Sequence, residues 1–180
     1  GTQLEVPLTF RSNVPADKLL ALTWQAQVQR DLADCMVLKL DGVESTTVYR
    51  QLGEGAFKAV ILDWLGSYPD PEAYLNPLLS CSNAEGHVCL DGEAAISGSF
   101  WSAPGLQNAL QESDSVRGAP RVAVLNTIEE LTVNGAAYIP VWLESPRSWS
   151  QRSLKPPLYN RSGFLRLAEL ERVSHKQEGN

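Results

Sequence analysis

The spacing of apolar positions changes several times along this chain, and each change marks an element. Residues 3–10, QLEVPLTF, predict a strand, in which Pro7 suits an edge better than the centre of a sheet. At Asn13-Val14-Pro15 a polar cap and a proline open a helix. Leu19, Leu20, Thr23, Trp24 and Gln27 carry it at helical spacing to about Leu32. CMVLKL from Cys35 predicts a second strand, closed by the turn pair Asp41-Gly42. Glu44 to Leu52 reads as a short helix ending at Gly53. Phe57 to Trp64 is so continuously apolar that it predicts a third strand buried on both faces.

The second half is more helical. Pro71 to Leu79 predicts a helix, and a polar loop covers 80–103. Pro104 to Glu112 and Pro120 to Val133 read as two helices, the second with Val122, Leu125, Ile128 and Leu131 on one stripe. A late strand is expected from Tyr138 to Leu143, and the polar end ERVSHKQEGN is expected to fray. Strand, helix, strand, helix, strand is the rhythm of an α/β layer with parallel pairing and right-handed crossovers. No internal repeat or low-complexity tract interrupts it.

Composition narrows the classes. In 180 residues there is room for one domain, able to bury roughly 70% of its unfolded surface. Hydrophobic residues make up 43% and charged residues 20%, as in a folded protein. The net charge of −6, with no Lys/Arg cluster, argues against nucleic acid or an anionic membrane as partner. No apolar run is long enough to span a bilayer and no signal-peptide pattern opens the chain; Gly1-Thr2 without an initiator Met reads as a processed or truncated start.

Enzymatic chemistry finds few candidates. The two histidines, His87 in a polar loop and His175 in the tail, do not follow strands, and no Gly-x-Ser-x-Gly elbow occurs. Cys81, His87 and Cys89 cluster, but a structural zinc needs a fourth ligand and none is in reach. Gly53-Glu54-Gly55 lacks the lysine of a phosphate loop. No catalytic residue, metal or cofactor is therefore expected. Cys81 and Cys89 bracket a loop that could close as a disulfide, or all three cysteines are reduced; Cys35 reads as buried. Asn160-Arg161-Ser162 matches a glycosylation acceptor, a triplet too common to carry weight.

The remaining signal is aromatic. Trp64, Tyr68, Trp101, Trp142 and Trp149 fall at strand ends or in loops, where a flat ring with one polar handle can grip a ligand or serve as packing. Asp63, just before Trp64, faces a ligand or merely caps or pairs nearby.

The order of these pieces resembles the C-terminal lobe of family 5 extracellular solute-binding proteins, the peptide- and nickel-binding components of ABC transporters. The likeness runs over roughly residues 3–170 and is sharpest at FKAVILDWLGSYPDPEAYLNPLL, with support from SGSFWSAPGLQNAL and from AAYIPVWLES. It implies an α/β, type II periplasmic-binding-protein lobe with a mixed sheet flanked by helices, spanning 1–170, and a polar tail at 171–180. It also implies a non-enzyme that captures a peptide or similar small solute outside the cytoplasm, between this lobe and the N-terminal lobe of a longer parent, for an ABC permease. An interaction or sensor domain reusing the lobe without transport is the alternative. Trp64 and the residues after it would line the ligand, making Asp63, Trp64, Ser67, Tyr68, Asp70 and Trp101 the candidate binding residues. At Ser67 the chain departs from the pattern, since peptide-binding relatives commonly carry there the acid that pairs with a ligand's α-amino group. Asp70 or Asp63 would have to replace it.

Overall fold

The computed structural model describes residues 3–143, 145 and 147–173. Strands β1 (Leu4–Arg11), β2 (Met36–Val43) and β3 (Ala59–Val60) form one parallel sheet in the order β2-β1-β3. Helix α1 (Pro15–Asp31) connects the first two strands, and α2 (Ser45–Gln51), extended by a 3₁₀ turn at Leu52–Glu54, leads to the third. Beyond α3 (Glu72–Leu79) come an antiparallel hairpin, β4 (Asn83–Glu85) and β5 (Val88–Asp91), and a short helix α4 (Glu93–Ile96). Two longer helices follow, α5 (Leu106–Ser115) and α6 (Ala119–Asn134). Instead of one mixed sheet, the described residues form two, one purely parallel and one a hairpin.

The strand with Pro7 is the centre of the parallel sheet rather than its edge, and the backbone explains how. Leu4 N–H and Ser12 N–H donate to Cys35 and Val43 on the β2 side, whereas Thr9 accepts from Ile61 N–H on the β3 side. Odd-numbered residues of β1 therefore turn their polar backbone toward β3. Pro7, with no N–H to give, stands one residue before the first β1–β3 pair, Leu8 with Ala59. At the other end β1 stops at Arg11, which the register sets against Leu62, so Asp63 and Trp64 lie past their neighbour. The expected strand over 57–64 is cut to Ala59–Val60 from both ends.

Asp41-Gly42 is no turn either. It continues β2, and Gly42 sits opposite Phe10, where a Cβ would come 2.9 Å from the ring. Glycine is chosen here for the close approach of an aromatic across the strands. The cap of α1 is Val14 rather than Asn13, whose side chain instead accepts from Ser45 N–H at 3.0 Å and ties α1 to the start of α2. On α1 the buried stripe is Ala21 with Leu20, Trp24 and Val28, while Leu19 and Thr23 face outward.

Two apolar cores result. Leu8, Phe10, Ala21, Leu38 and Ile61 pack between sheet and α1. Leu79, Leu106, Ala109, Leu110 and Ile128 pack among α3, α5 and α6, with Leu125 and Leu131 beside them and Val122 exposed. Residues 80–103, expected as a polar loop, are organised by the hairpin and by the Cys81–Cys89 bond, whose Cα atoms are 5.8 Å apart. Cys35, expected to be buried, is exposed and free. Tyr138 to Leu143 form no strand; Tyr138 is anchored by donating to Leu78 O at 3.0 Å. Glu171 and Val173, at the start of the expected tail, pair with 153–155, while 174–180, including His175, lie outside the described residues.

Candidate functional site

Parallel sheets gather their side-chain chemistry at the carboxyl ends of the strands, where the chain leaves the ladder and helices begin. Here that end is organised by a buried arginine. Arg11, the last residue of β1, has a side chain only 6% exposed. Its Nε and Nη2 donate to both oxygens of Asp17, in the first turn of α1, at 2.7 and 3.0 Å. Its Nη1 donates to the Tyr49 hydroxyl of α2 at 2.6 Å and to Asp63 just beyond β3. The Tyr49 hydroxyl in turn donates to Asp63 at 3.1 Å. One guanidinium thus ties together α1, α2 and the exits of β1 and β3.

The charges are balanced unevenly. Arg11 is held firmly protonated, first by its bond with Asp17 and then by Asp63, against the cost of burial. Burial disfavours the charged form of Asp63, yet the hydrogen bond and charge of Arg11 outweigh it and hold the carboxyl below its ordinary value. The Tyr49 phenol is pushed up, mainly by burial. Two carboxylates share one cation, and Asp63 remains the solvent-facing partner, its side chain 75% exposed.

The segment that follows is a rigid turn. Gly66 is buried against Tyr74: a Cβ there would lie 2.5 Å from the ring edge. Pro69 and Pro71 fix two backbone angles on either side of Asp70. Asp70 Oδ1 accepts from Glu72 N–H at 3.0 Å, satisfying one of the open donors at the start of α3. Both of its oxygens accept from the Arg121 guanidinium on α6, at 2.6 and 2.8 Å, a fork-to-fork pair. Those bonds hold the Asp70 carboxyl down at about 2. The Tyr68 hydroxyl donates to Glu72, which pushes the phenol up to about 12.

Trp64 is bound into this turn for a different reason. Pro77 lies inside α3 and cannot donate to the carbonyl four residues before it, that of Ala73. The Trp64 indole N–H supplies the missing bond at 3.0 Å. The polar handle of Trp64 is therefore used inward, while its ring stays about half exposed.

Gly66, Tyr68, Pro69, Asp70, Pro71 and Tyr74, with Arg161 and Ser162 from the later chain, line an open cavity of about 370 Å³. The structure thus brings Tyr68 and Asp70 together, with the exposed Ser67 and Trp64 next to them in the chain. Asp63 belongs to the Arg11 cluster, and Trp101 packs on the helical core with its ring against Gly135. Trp142 and Trp149 are exposed. Among the described residues no group of acids, cysteines and histidines is arranged to hold a metal ion.

Arg11, Asp17, Tyr49, Arg121 and Arg161 were not singled out from the sequence. Only the first pair carried a signal: TFRSNVPAD places an arginine at the end of an apolar strand and an acid in the first turn of the next helix.

No family model matches the chain, and no curated protein matches it in sequence. Solved structures do match in fold. The pheromone receptor PrgZ, solved for its mode of peptide binding, superposes over 94% of this chain and 30% of its own, with a TM-score of 0.69 and 15% identity. NikA from Brucella suis, in complex with Fe(III)-EDTA, covers 94% of this chain and 32% of its own, at 0.66 and 16%. The Escherichia coli murein tripeptide binding protein MppA covers 74% and 24%, at 0.60 and 19%. The fold is that of a type II periplasmic-binding-protein lobe. The chain spans about a quarter to a third of the length of these proteins.

Proposed function

We propose that this chain is one lobe of a solute-binding protein that captures a peptide or similar small solute outside the cytoplasm for an ABC importer, without catalysis. The N-terminal part of a longer parent would supply the second lobe, and the permease would be the downstream partner. The observation that carries this reading is the cavity against the 66–74 turn, in a fold shared with proteins solved with a peptide-binding mode or a metal chelate. Its walls are held by Pro69, Pro71 and the Asp70–Arg121 pair before any ligand arrives, which lowers the ordering cost of binding. Tyr68, Trp64 and Ser67 would meet the ligand directly, Asp63 would face it from the sheet edge, and Trp101 would support the wall from the core. The Cys81–Cys89 bond favours an oxidising, extracytoplasmic setting, and no helix among the described residues is long and apolar enough to cross a membrane.

Ser67 and Asp70 together set the specificity. Ser67 is neutral, and Asp70 is already committed to Arg121, so neither position offers a spare carboxylate to a ligand's ammonium. A peptide and its N-acetylated form should bind alike. The test is an amide-resolved NMR titration of this chain with trialanine and N-acetyl-trialanine, expected to show weak, similar shifts at Gly66 and Tyr68. A single lobe cannot bury most of a ligand's surface, so micromolar or tighter binding would overturn the two-lobe reading. A strong preference for the free amine would overturn the role given to Ser67.

A further inference from the structure

The apolar core between sheet and α1 and the one among α3, α5 and α6 have no side chain in common among the described residues. The chain crosses from the first to the second at Asp63-Trp64, where two consecutive side chains are tied in opposite directions. Asp63 accepts from Arg11 and Tyr49 on the sheet side. The Trp64 indole donates to Ala73 O of α3 at 3.0 Å. A second joint sets the Leu52–Glu54 turn against Gly98, where a Cβ would lie 3.0 Å from Leu52 O. Of the two, only the Asp63-Trp64 crossing leads directly into the 66–74 turn.

Arg11 has more donors than its own burial requires. Nε and Nη2 pair with both oxygens of Asp17, and the two side chains are only 6% and 7% exposed. That fork is a complete neutral pair. The remaining branch, Nη1, reaches Tyr49 and Asp63, whose side chain is 75% exposed. Water would solvate so open a carboxylate, so the outer bond adds little to stability. What it adds is direction. Arg11 Nη1 and the Tyr49 hydroxyl donate to the same oxygen of Asp63, Oδ1, from two different elements, β1 and α2.

We propose that Arg11 is a positioning residue of the 66–74 ligand wall. Through Asp63 it sets the direction in which the chain leaves the sheet, and so holds the Trp64 indole against Ala73 O at the entrance to the turn. The wall is thereby fixed to both cores, to α6 by the Asp70–Arg121 pair and to β1 by Arg11 and Asp63. Arg11 is buried and acts without touching a ligand. The inference rests on the solute-binding reading only for what the wall meets.

The test reads hydrogen exchange of the Trp64 indole N–H by NMR in the full chain. Arg11→Lys keeps a positive charge for Asp17 but has a single nitrogen, so it cannot fork to Asp17 and hold Asp63 as well. Asp63→Ala removes the outer bond at an exposed position, and it decides alone if Arg11→Lys fails to fold. In both, indole exchange should speed up about three- to fivefold, the scale of one exposed ion pair. The Leu79 and Ile128 amides of the helical core should keep their rates. A general loss of stability would speed all three together, and that result overturns the positioning role. So does an unchanged indole, or an acceleration in Asp63→Ala that a folded Arg11→Lys does not share. The readout needs no ligand, so its failure leaves solute binding standing, to be decided by the trialanine titration.

Discussion

Replacing Asp70 by Asn tests the anchor that ties the 66–74 turn to α6. The side chain keeps its shape and one carbonyl oxygen, enough to go on accepting from Glu72 N–H, but it loses the charge that receives both branches of Arg121. The magnitude follows from the titration. A carboxyl that falls from 3.8 to about 2 on folding owes at most about 2.5 kcal/mol to its charged form. Asp70 is 34% and Arg121 19% exposed, so solvent screens the pair and about 1 kcal/mol is the working figure. In a chain of this length that lowers the melting point by roughly 2–4 °C. The sign with pH follows from the direction of the shift. Because the folded-state pKa is depressed, the contribution is complete above the unfolded value near 4 and disappears as pH falls through about 2. Urea unfolding of wild type and Asp70→Asn at neutral pH should differ by about 1 kcal/mol, and the two curves should converge between about pH 4 and 2. A difference that persists undiminished to the acid end would show that shape, not charge, is at work. No difference at neutral pH would show that the Arg121 fork is dispensable.

Two further outcomes are expected. Gly66→Ala should destabilise by about 1–3 kcal/mol, since its Cβ meets the Tyr74 ring at 2.5 Å; trimming the ring in Gly66→Ala/Tyr74→Ala should recover part of the loss, and a neutral Gly66→Ala would refute the close approach. Thiol titration of the unreduced protein should find one reactive thiol, Cys35, in the folded as well as the denatured state, with two more appearing on reduction and a stability loss of about 2–3 kcal/mol; three thiols before reduction would remove the disulfide.

How much of this was legible depended on how far apart the cooperating residues lie. Helices α1, α3, α5 and α6 announced themselves because caps, prolines and apolar spacing act within a turn or two. The strands were harder. An apolar run says that residues are buried, not that they are paired, and β3 is short because Pro7 ends the ladder on one side and Arg11 ends it on the other, some fifty residues earlier in the chain. Gly42 looked like a turn because Phe10, the ring that needs the space, is 32 positions away. The candidate site divides the same way. Its inner wall, Gly66 to Tyr74, stood out because glycine, two prolines and three aromatic rings fall within eleven residues, from Trp64 to Tyr74, and their effects are local. Even there the sequence marks Trp64 as a ligand contact but does not reveal that Pro77, thirteen residues on, leaves Ala73 O for its indole to satisfy.

The outer wall carried no such signal. Arg161 and Ser162 formed part of a glycosylation-type triplet, and nothing in their neighbourhood points back to Tyr68 across some ninety residues. Charge shows why that matters. Read locally, the turn contains two acids, Asp70 and Glu72, and looks suited to a cation. Arg121, fifty-one residues further along, pairs with Asp70, and Arg161 lines the same cavity, so two cations stand against the two acids. The local sequence marks one face of the cavity, but its charge balance includes two arginines that only the fold brings to it.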